Sequence, residues 1–342
     1  MIKTLSRKIS RAKELGFSKS LIIIANKIRR KLHMLPTVPP TVYIELTNEC
    51  NLNCVMCDRG SLSRQKLRMD MGLFKRIIDN AAEIGVPEVK LNRFGEPLLQ
   101  PLLIDMIKYA KDKNIPRVYF TTNATLLTEK MARKIIASGL DSITFSVDGG
   151  TAETYEKIRR GARYNKVVKN IETFARIRQE FGQKKPAIVL NTILMKDTED
   201  EMPLVFQKWS PIVNKINVIP VGKYGNVDDR SGIDRGGLRS EKRICHHPFD
   251  RLLVFWDGSV TVCCADINGD LSVGNILNER LEQLWRNDKF EHIRKMLRKK
   301  KYETIPICAC CDGTNLPLYS KMQQARKNVY NLYGKNKGQS KS

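Results

Sequence analysis

The sequence lacks the apolar length of a membrane span. Its N-terminal run Leu21 to Ala25 is far short of the roughly 20 residues that cross a bilayer. Acidic residues are also in deficit, 36 against 60 Lys and Arg, for a net charge of +24. That imbalance favours anionic partners: phosphorylated small molecules, nucleic acid or anionic membrane surfaces. No recognisable RNA-binding motif accompanies it, and basicity alone gives salt-sensitive, non-specific binding. A non-catalytic, metal-containing RNA-binding protein is therefore a reading with charge as its one support, and nucleic acid is not the expected partner. A disulfide framework is missing too. The nine cysteines are odd in number, fall in two sets and have no signal peptide ahead of them, which suits metal binding in a reducing cytoplasm.

What is present is enough for a full core: 342 residues, 42% of them hydrophobic, allow one large domain and a smaller one. Residues 1–40 hold 10 Lys or Arg against the single acid Glu14, with Leu21, Ile24, Ala25, Ile28 and Leu32 at helical spacing. This is a basic amphipathic helix, either packed on the exterior of the domain or docked on a membrane surface. From residue 41 to about 225, strand patterns at 41–47, 88–92, 118–122, 142–147, 188–194 and 216–220 alternate with helical ones at 71–84, 101–113, 128–138, 152–181 and 199–209. Repeated βα units imply a parallel sheet. Six of them are too few for a closed eight-unit barrel, so the expected fold is α/β, a partial (β/α)6 TIM-like barrel.

The chain is organised around Cys50, Cys54 and Cys57, spaced C-x3-C-x2-C just after the first strand. Three thiolates on one loop suit a cubane iron–sulfur cluster and leave one iron open, at the strand end where α/β barrels build active sites. These residues resemble the signature of the radical S-adenosylmethionine (SAM) enzymes. The resemblance implies a [4Fe–4S] cluster whose open iron chelates SAM. One electron from it releases a 5′-deoxyadenosyl radical that abstracts a substrate hydrogen. Met56 stands where the family often has an aromatic residue.

Further strand ends carry similar signals. Gly95, Glu96 and Pro97 resemble the family's Gly-Gly-Glu-Pro motif, with Phe94 for the first glycine, and imply contacts to the SAM ammonium. Asn123, in a Thr-Asn-Ala version of a Thr-Asn-Gly motif, is a candidate for the SAM ribose. Ser146 and Arg159, which the resemblance puts on the next helix, are candidates for the SAM carboxylate. Asn191 is placed either in the barrel interior or as a strand cap.

The segment 226–243, with Asp228, Asp229, Arg230 and Arg235, reads as a linker or substrate-covering loop. Beyond it a β-hairpin, Leu252–Phe255 and Val260–Cys264, is bracketed by Cys245, Cys263, Cys308 and Cys311. This resembles the SPASM domain or its shortened, one-cluster twitch version, expected over 244–317 as a small α+β domain with a second, auxiliary [4Fe–4S] cluster. A four-cysteine zinc site fits the same spacing, and Cys264 and Cys310 stand next to proposed ligands. Residues 318–342 are expected to form a helix and a disordered basic tail.

The resemblance implies a radical SAM oxidoreductase. It would oxidise or epimerise a sugar- or cyclitol-like, anionic small molecule, served by an electron donor such as flavodoxin or ferredoxin. A peptide maturase is the alternative within the family. The sequence leaves the catalytic residues unassigned, with Tyr155, Cys264 and the linker acids Asp228 and Asp229 as candidates for a radical-quenching or proton-handling group.

Overall fold

The computed structural model describes residues 35–220, 244–309, Cys311, Gln324 and 327–331. The expected N-terminal helix, the 226–243 linker with its four charged candidates, Cys310 and most of the 318–342 tail lie outside these residues.

Six parallel strands follow the sequence patterns closely: β1 Thr41–Ile44, β2 Glu88–Lys90, β3 Arg117–Thr122, β4 Ser142–Ser146, β5 Ala187–Leu194 and β6 Lys215–Pro220. They are joined by α1 Met71–Glu83, α2 Leu103–Asp112, α3 Glu129–Ala137, α4 Ala152–Ile158, α5 Tyr164–Glu180 and α6 Met202–Trp209. In α1, Leu73, Phe74, Ile77, Ile78 and Ala81 are buried, a stripe at three- and four-residue steps that faces the sheet. Asp70 caps it by accepting from the Leu73 amide at 2.9 Å, an arrangement typically worth about 1 kcal/mol. Alternate strand residues such as Val42, Ile44, Val89, Val118, Phe120, Ile143 and Phe145 join the same core. The residues between them face the barrel interior.

Two expectations are corrected. The single helix over 152–181 is two, because the chain breaks at 159–163, where Gly161 takes φ +94°. Arg159 is therefore the C-cap of α4 instead of a helical residue. The break frees two carbonyls for the cysteine loop: Asn53 donates to Arg160 O at 3.0 Å and Val55 to Ile158 O at 2.9 Å.

The second correction concerns the C-terminal hairpin, whose strands end at Val254 and Thr261 instead of Phe255 and Cys264; the C-terminal region as a whole continues the barrel's own sheet. The strand order is β6-β5-β4-β3-β2-β1-β7-β8-β9, where β7 is Arg251–Val254, β8 Ser259–Thr261 and β9 Ser272–Asn275. β7 pairs in parallel with β1, and β8 and β9 follow antiparallel. The hairpin is thus shorter than its sequence pattern, and Cys263 and Cys264 lie just past β8. α7 His247–Asp250, α8 Leu281–Arg286, α9 Asp288–Arg298 and α10 Pro306–Ala309 complete this region. The chain entering β1 is tied to it, since Trp285 Nε1 donates to Pro36 O at 3.0 Å.

β1 and β6 do not pair, so the barrel is open. The short helical segment 327–331 covers the β6 side: Tyr330 Oη accepts from Val218 N at 2.9 Å and donates to Ile216 O at 2.7 Å. This satisfies backbone groups that an edge strand leaves unpaired.

Candidate functional site

The loop after β1 is held by side chains that the motif reading did not single out. Arg59 donates from Nε to Asn48 O at 3.1 Å and from Nη1 to Leu52 O at 3.2 Å. Asn48, fully buried, donates to Gln65 O at 2.8 Å and accepts from Leu67 N at 3.0 Å. These bonds fold residues 48–67 back on themselves and present Cys50, Cys54 and Cys57, all part-exposed, on one turn. Burial raises the Cys50 thiol and pushes Cys54 up to about 11, while the Arg159 charge pulls Cys54 the other way.

Gly95 lies against this loop. Its φ is +79°, and a Cβ there would stand 2.3 Å from Thr47 O and 2.7 Å from Glu49 O. The next amide, Glu96 N, donates to Glu49 O at 2.7 Å. The Glu96 carboxylate is turned inward. It accepts from Thr122 Oγ1 at 2.6 Å, Asn123 N at 2.8 Å and Leu98 N at 3.1 Å, and burial raises its pKa. Glu96 thus ties the loop after β2, where Pro97 opens a 3-10 turn, to the loop after β3. Asn123 carries the tie on to the cysteine loop. Its Nδ2 donates to Asn51 Oδ1 at 3.0 Å and lies 3.9 Å from Cys50 Sγ.

Arg159 closes the other side. Nη2 is 2.7 Å from Asp148 Oδ2, and Nη1 is 4.0 Å from Cys54 Sγ. Its Nε is buried with no hydrogen-bond partner. Asp148 also fixes β5, accepting from Ile193 N at 2.8 Å. Ser146 is part-exposed at the end of β4, in register with Asn191, whose Oδ1 accepts from Asn217 Nδ2 at 3.0 Å. Asn191 therefore joins a polar layer in the barrel interior. Tyr155 is fully buried, its ring 5.3 Å from that of Tyr164, which withdraws it from any substrate.

The second cysteine set gathers beside β1. Cys245 and Cys308 pack with Phe249, Leu297, Tyr302 and Ile305 in one apolar cluster. Burial raises the Cys245 thiol, and the charges of Cys264, Cys311 and Cys308 add to the effect. Asp266 shapes the turn after β8, accepting from Thr261 Oγ1 at 2.5 Å and from the amides of Gly269, Asp270 and Leu271 at 2.9 to 3.0 Å. Cys263 Sγ accepts from Ala265 N at 3.3 Å. The Cys263 thiol also donates to the Cys264 sulfur, which lowers the Cys264 pKa and raises its own. Cys264 therefore lies within this set of thiols. Among the described residues, no three His, Cys, Asp or Glu side chains are close enough together to hold a single metal ion.

Residues 44–208 match the family model of the radical SAM superfamily, and residues 245–312 match that of the SPASM iron–sulfur cluster-binding domain. The chain carries a radical SAM domain and a SPASM domain. Its radical SAM domain implies a [4Fe–4S] cluster and SAM, and its SPASM domain implies auxiliary iron–sulfur binding.

One relative of this radical SAM chain is the tungsten-containing aldehyde ferredoxin oxidoreductase cofactor-modifying protein of Pyrococcus furiosus, 24% identical over 80% of this chain and 88% of that one. The AdoMet-dependent heme synthase of Methanosarcina barkeri is 29% identical over 58% of this chain, which spans only 56% of that protein. Two solved structures share the fold. SuiB of Streptococcus suis, bound to precursor peptide SuiA, has a TM-score of 0.64 at 14% identity, over 81% of this chain and 72% of that one. BtrN, in complex with AdoMet and 2-DOIA, has a TM-score of 0.52 at 18% identity, over 80% of this chain and 93% of that one. Among the described residues, no helix is long and apolar enough to cross a membrane.

The barrel mouth suits the implied groups. Three thiols share one loop, the buried Arg159 Nε lacks a partner beside them, and Gly95 leaves a close backbone approach that a side chain would fill.

Proposed function

We propose that this radical SAM protein oxidises or epimerises a small, anionic, sugar- or cyclitol-like substrate. When bound, SAM and the first cluster supply a hydrogen-abstracting 5′-deoxyadenosyl radical, and the second cluster supplies a one-electron acceptor.

Cys50, Cys54 and Cys57 would hold the first cluster. Arg159, with its orphan Nε, would receive the SAM carboxylate together with Ser146, since a guanidinium forks onto carboxylates. Gly95, Glu96, Pro97 and Asn123 would shape the cofactor's bed, Glu96 through its internal ties rather than through a free carboxylate. Cys245, Cys263, Cys308 and Cys311 would hold the second cluster. The match to the SPASM iron–sulfur cluster-binding domain over residues 245–312 supports a cubane over zinc at these thiols.

The observation that carries the oxidative reading is the parallel pairing of β7 with β1. The three-cysteine loop follows the C-terminal end of β1, whereas Cys245 precedes β7 and Cys263 follows the antiparallel β8, so an acceptor held by the second set would stand at the other end of these short strands, across the barrel interior from the first cluster. Removing a hydrogen atom, a proton and one electron from a secondary alcohol carbon gives a ketone. The acceptor across the barrel interior takes that electron.

Iron and sulfide per chain, measured after anaerobic reconstitution of the wild type and of a Cys50→Ala/Cys54→Ala/Cys57→Ala variant, test this. Loss of about half the iron, with SAM cleavage abolished, is expected for two cubanes. Loss of all the iron with zinc retained would refute the acceptor role and leave a redox-neutral reaction.

A further inference from the structure

Lys90 and Arg93 flank the C-terminal end of β2, and among the described residues neither is paired with a carboxylate. Val89 and Leu91 pack outward into the core, so Lys90 points into the barrel, in the layer that holds Tyr43 of β1 and Tyr119 of β3. Its ammonium lies 5.0 Å from the centre of the Tyr43 ring. Arg251 stands 5.0 Å from the same ring and donates to its hydroxyl at 3.1 Å. The Asp250 carboxylate, at 2.6 and 3.2 Å, already answers Arg251. Among the described residues, no carboxylate answers Lys90. Burial, reinforced by the charges of Arg93 and Arg251 and opposed by that of Cys264, lowers its pKa to about 7.

Arg93 is less satisfied still. Its guanidinium lies over the Phe94 ring at 3.8 Å, yet Nε and Nη2 are buried without a hydrogen-bond partner. Buried polar groups are nearly always paired, so an orphaned guanidinium requires an explanation. Arg93 acts electrostatically on both Glu45 and Cys264, so its charge reaches both the end of β1 and the second cysteine set. Glu45 is not its partner, because both of its oxygens are bonded to Arg64 at 2.9 Å.

We propose that Lys90 and Arg93 form the receptor for an oxyanion of the substrate, a phosphate or a carboxylate, inside the barrel between the three-cysteine loop and the second cysteine set. The assignment rests on the barrel mouth being the reaction site, as argued above. Arg93 offers the planar fork that tetrahedral and planar oxyanions both accept, and Lys90 adds a point charge. The pair would fix which end of the substrate enters the barrel, and so which carbon faces the radical.

Equilibrium dialysis of the reconstituted full chain against radiolabelled sulfate at constant ionic strength, with acetate titrated in parallel by saturation-transfer NMR, tests this. One saturable site is expected in the wild type. Arg93→Gln and Lys90→Gln should each weaken it tenfold or more, Arg93→Lys should recover part of the loss, and Lys134→Gln, on the exposed face of α3, should match the wild type. Preference for sulfate would point to a phosphate-bearing substrate, and preference for acetate to a carboxylate.

Unchanged affinity in both Gln variants, or no saturable site for either probe, would overturn the proposal. So would unchanged anion binding in Arg93→Gln together with a shifted midpoint potential of the second cluster, which would make Arg93 a counter-charge to that cluster. If Arg93→Gln does not fold, Lys90→Gln carries the same test. SAM cleavage by the wild type is scored separately, so its failure with the anion site intact would refute the reaction and not the receptor.

Discussion

Arg159 and Asp148 form a buried ion pair at 2.7 Å, with side-chain exposures of 9% and 0%, next to Cys54. Burial raises the Asp148 pKa, and the guanidinium opposes that rise. Arg159→Ala would strand the carboxylate, and breaking such a pair costs about 3–5 kcal/mol. Urea melts should show that loss. A double variant, Arg159→Met with Asp148→Asn, should recover most of the stability. Calorimetric SAM binding should remain lost in both, because Nε and Nη1 leave with the arginine. SAM binding that returns with stability would make Arg159 purely structural.

Gly95→Ala meets two obstacles. Its φ of +79° disfavours alanine by about 1–2 kcal/mol, and the new methyl would collide with Thr47 O at 2.3 Å. The combined loss should exceed about 3 kcal/mol, and iron content should fall with it because the displaced backbone leads into Cys50. Retention of both full stability and full iron would show that the loop has room to shift.

Asp141 sets an acid limit on stability. Burial pushes its pKa up, but hydrogen bonds from Lys111 at 2.7 Å, Lys185 at 2.6 Å and Val118 N at 2.9 Å outweigh it, so the group is held below its ordinary value. A depressed carboxylate contributes stability above its unfolded pKa, and that contribution is lost as pH falls through the folded value. Asp141→Asn should therefore lower the melting temperature at pH 7. Its difference from the wild type should shrink as pH falls from about 4, the ordinary carboxylate value, through the depressed value at which Asp141 takes up its proton. A constant difference across that range would mean that charge is not the cause.

Arg64 joins the two halves of the chain. It grips the fully buried Glu45 with two bonds at 2.9 Å, donates from Nε to Ile267 O at 2.7 Å and lies 3.8 Å from the Phe255 ring centre. Arg64→Met alone should destabilise by about 3–5 kcal/mol, whereas Arg64→Met with Glu45→Leu should be much milder. A double-mutant cycle measures the coupling, and additive losses would mean that the pair contributes nothing of its own.

Much of the molecule was legible in order along the chain. The strand and helix periods located the six parallel strands and the helices between them to within a few residues, the break at Gly161 excepted, because their apolar faces repeat at two and at 3.6 residues. The spacing of Cys50, Cys54 and Cys57 marked the loop because thiolates of one cluster cluster in sequence. Asn48, Arg59, Asp148 and Asp266 escaped notice. Each is a common polar residue whose role lies in which distant backbone group it meets, as when Arg59 holds Asn48 O and Leu52 O together.

The sequence by itself determined the parallel barrel, the family and the two sets of thiols, since these are written in local period and spacing. Only the tertiary structure decided that β7 extends the barrel's sheet through β1 and that Arg159 leaves its helix to meet Asp148 and Cys54. It also turned Glu96 inward and left Lys90 and Arg93 without a carboxylate partner among the described residues. These are relations between residues far apart in the chain, and side-chain pairing and unshared charge have no period to read. They exist only once packing has fixed which groups share a space.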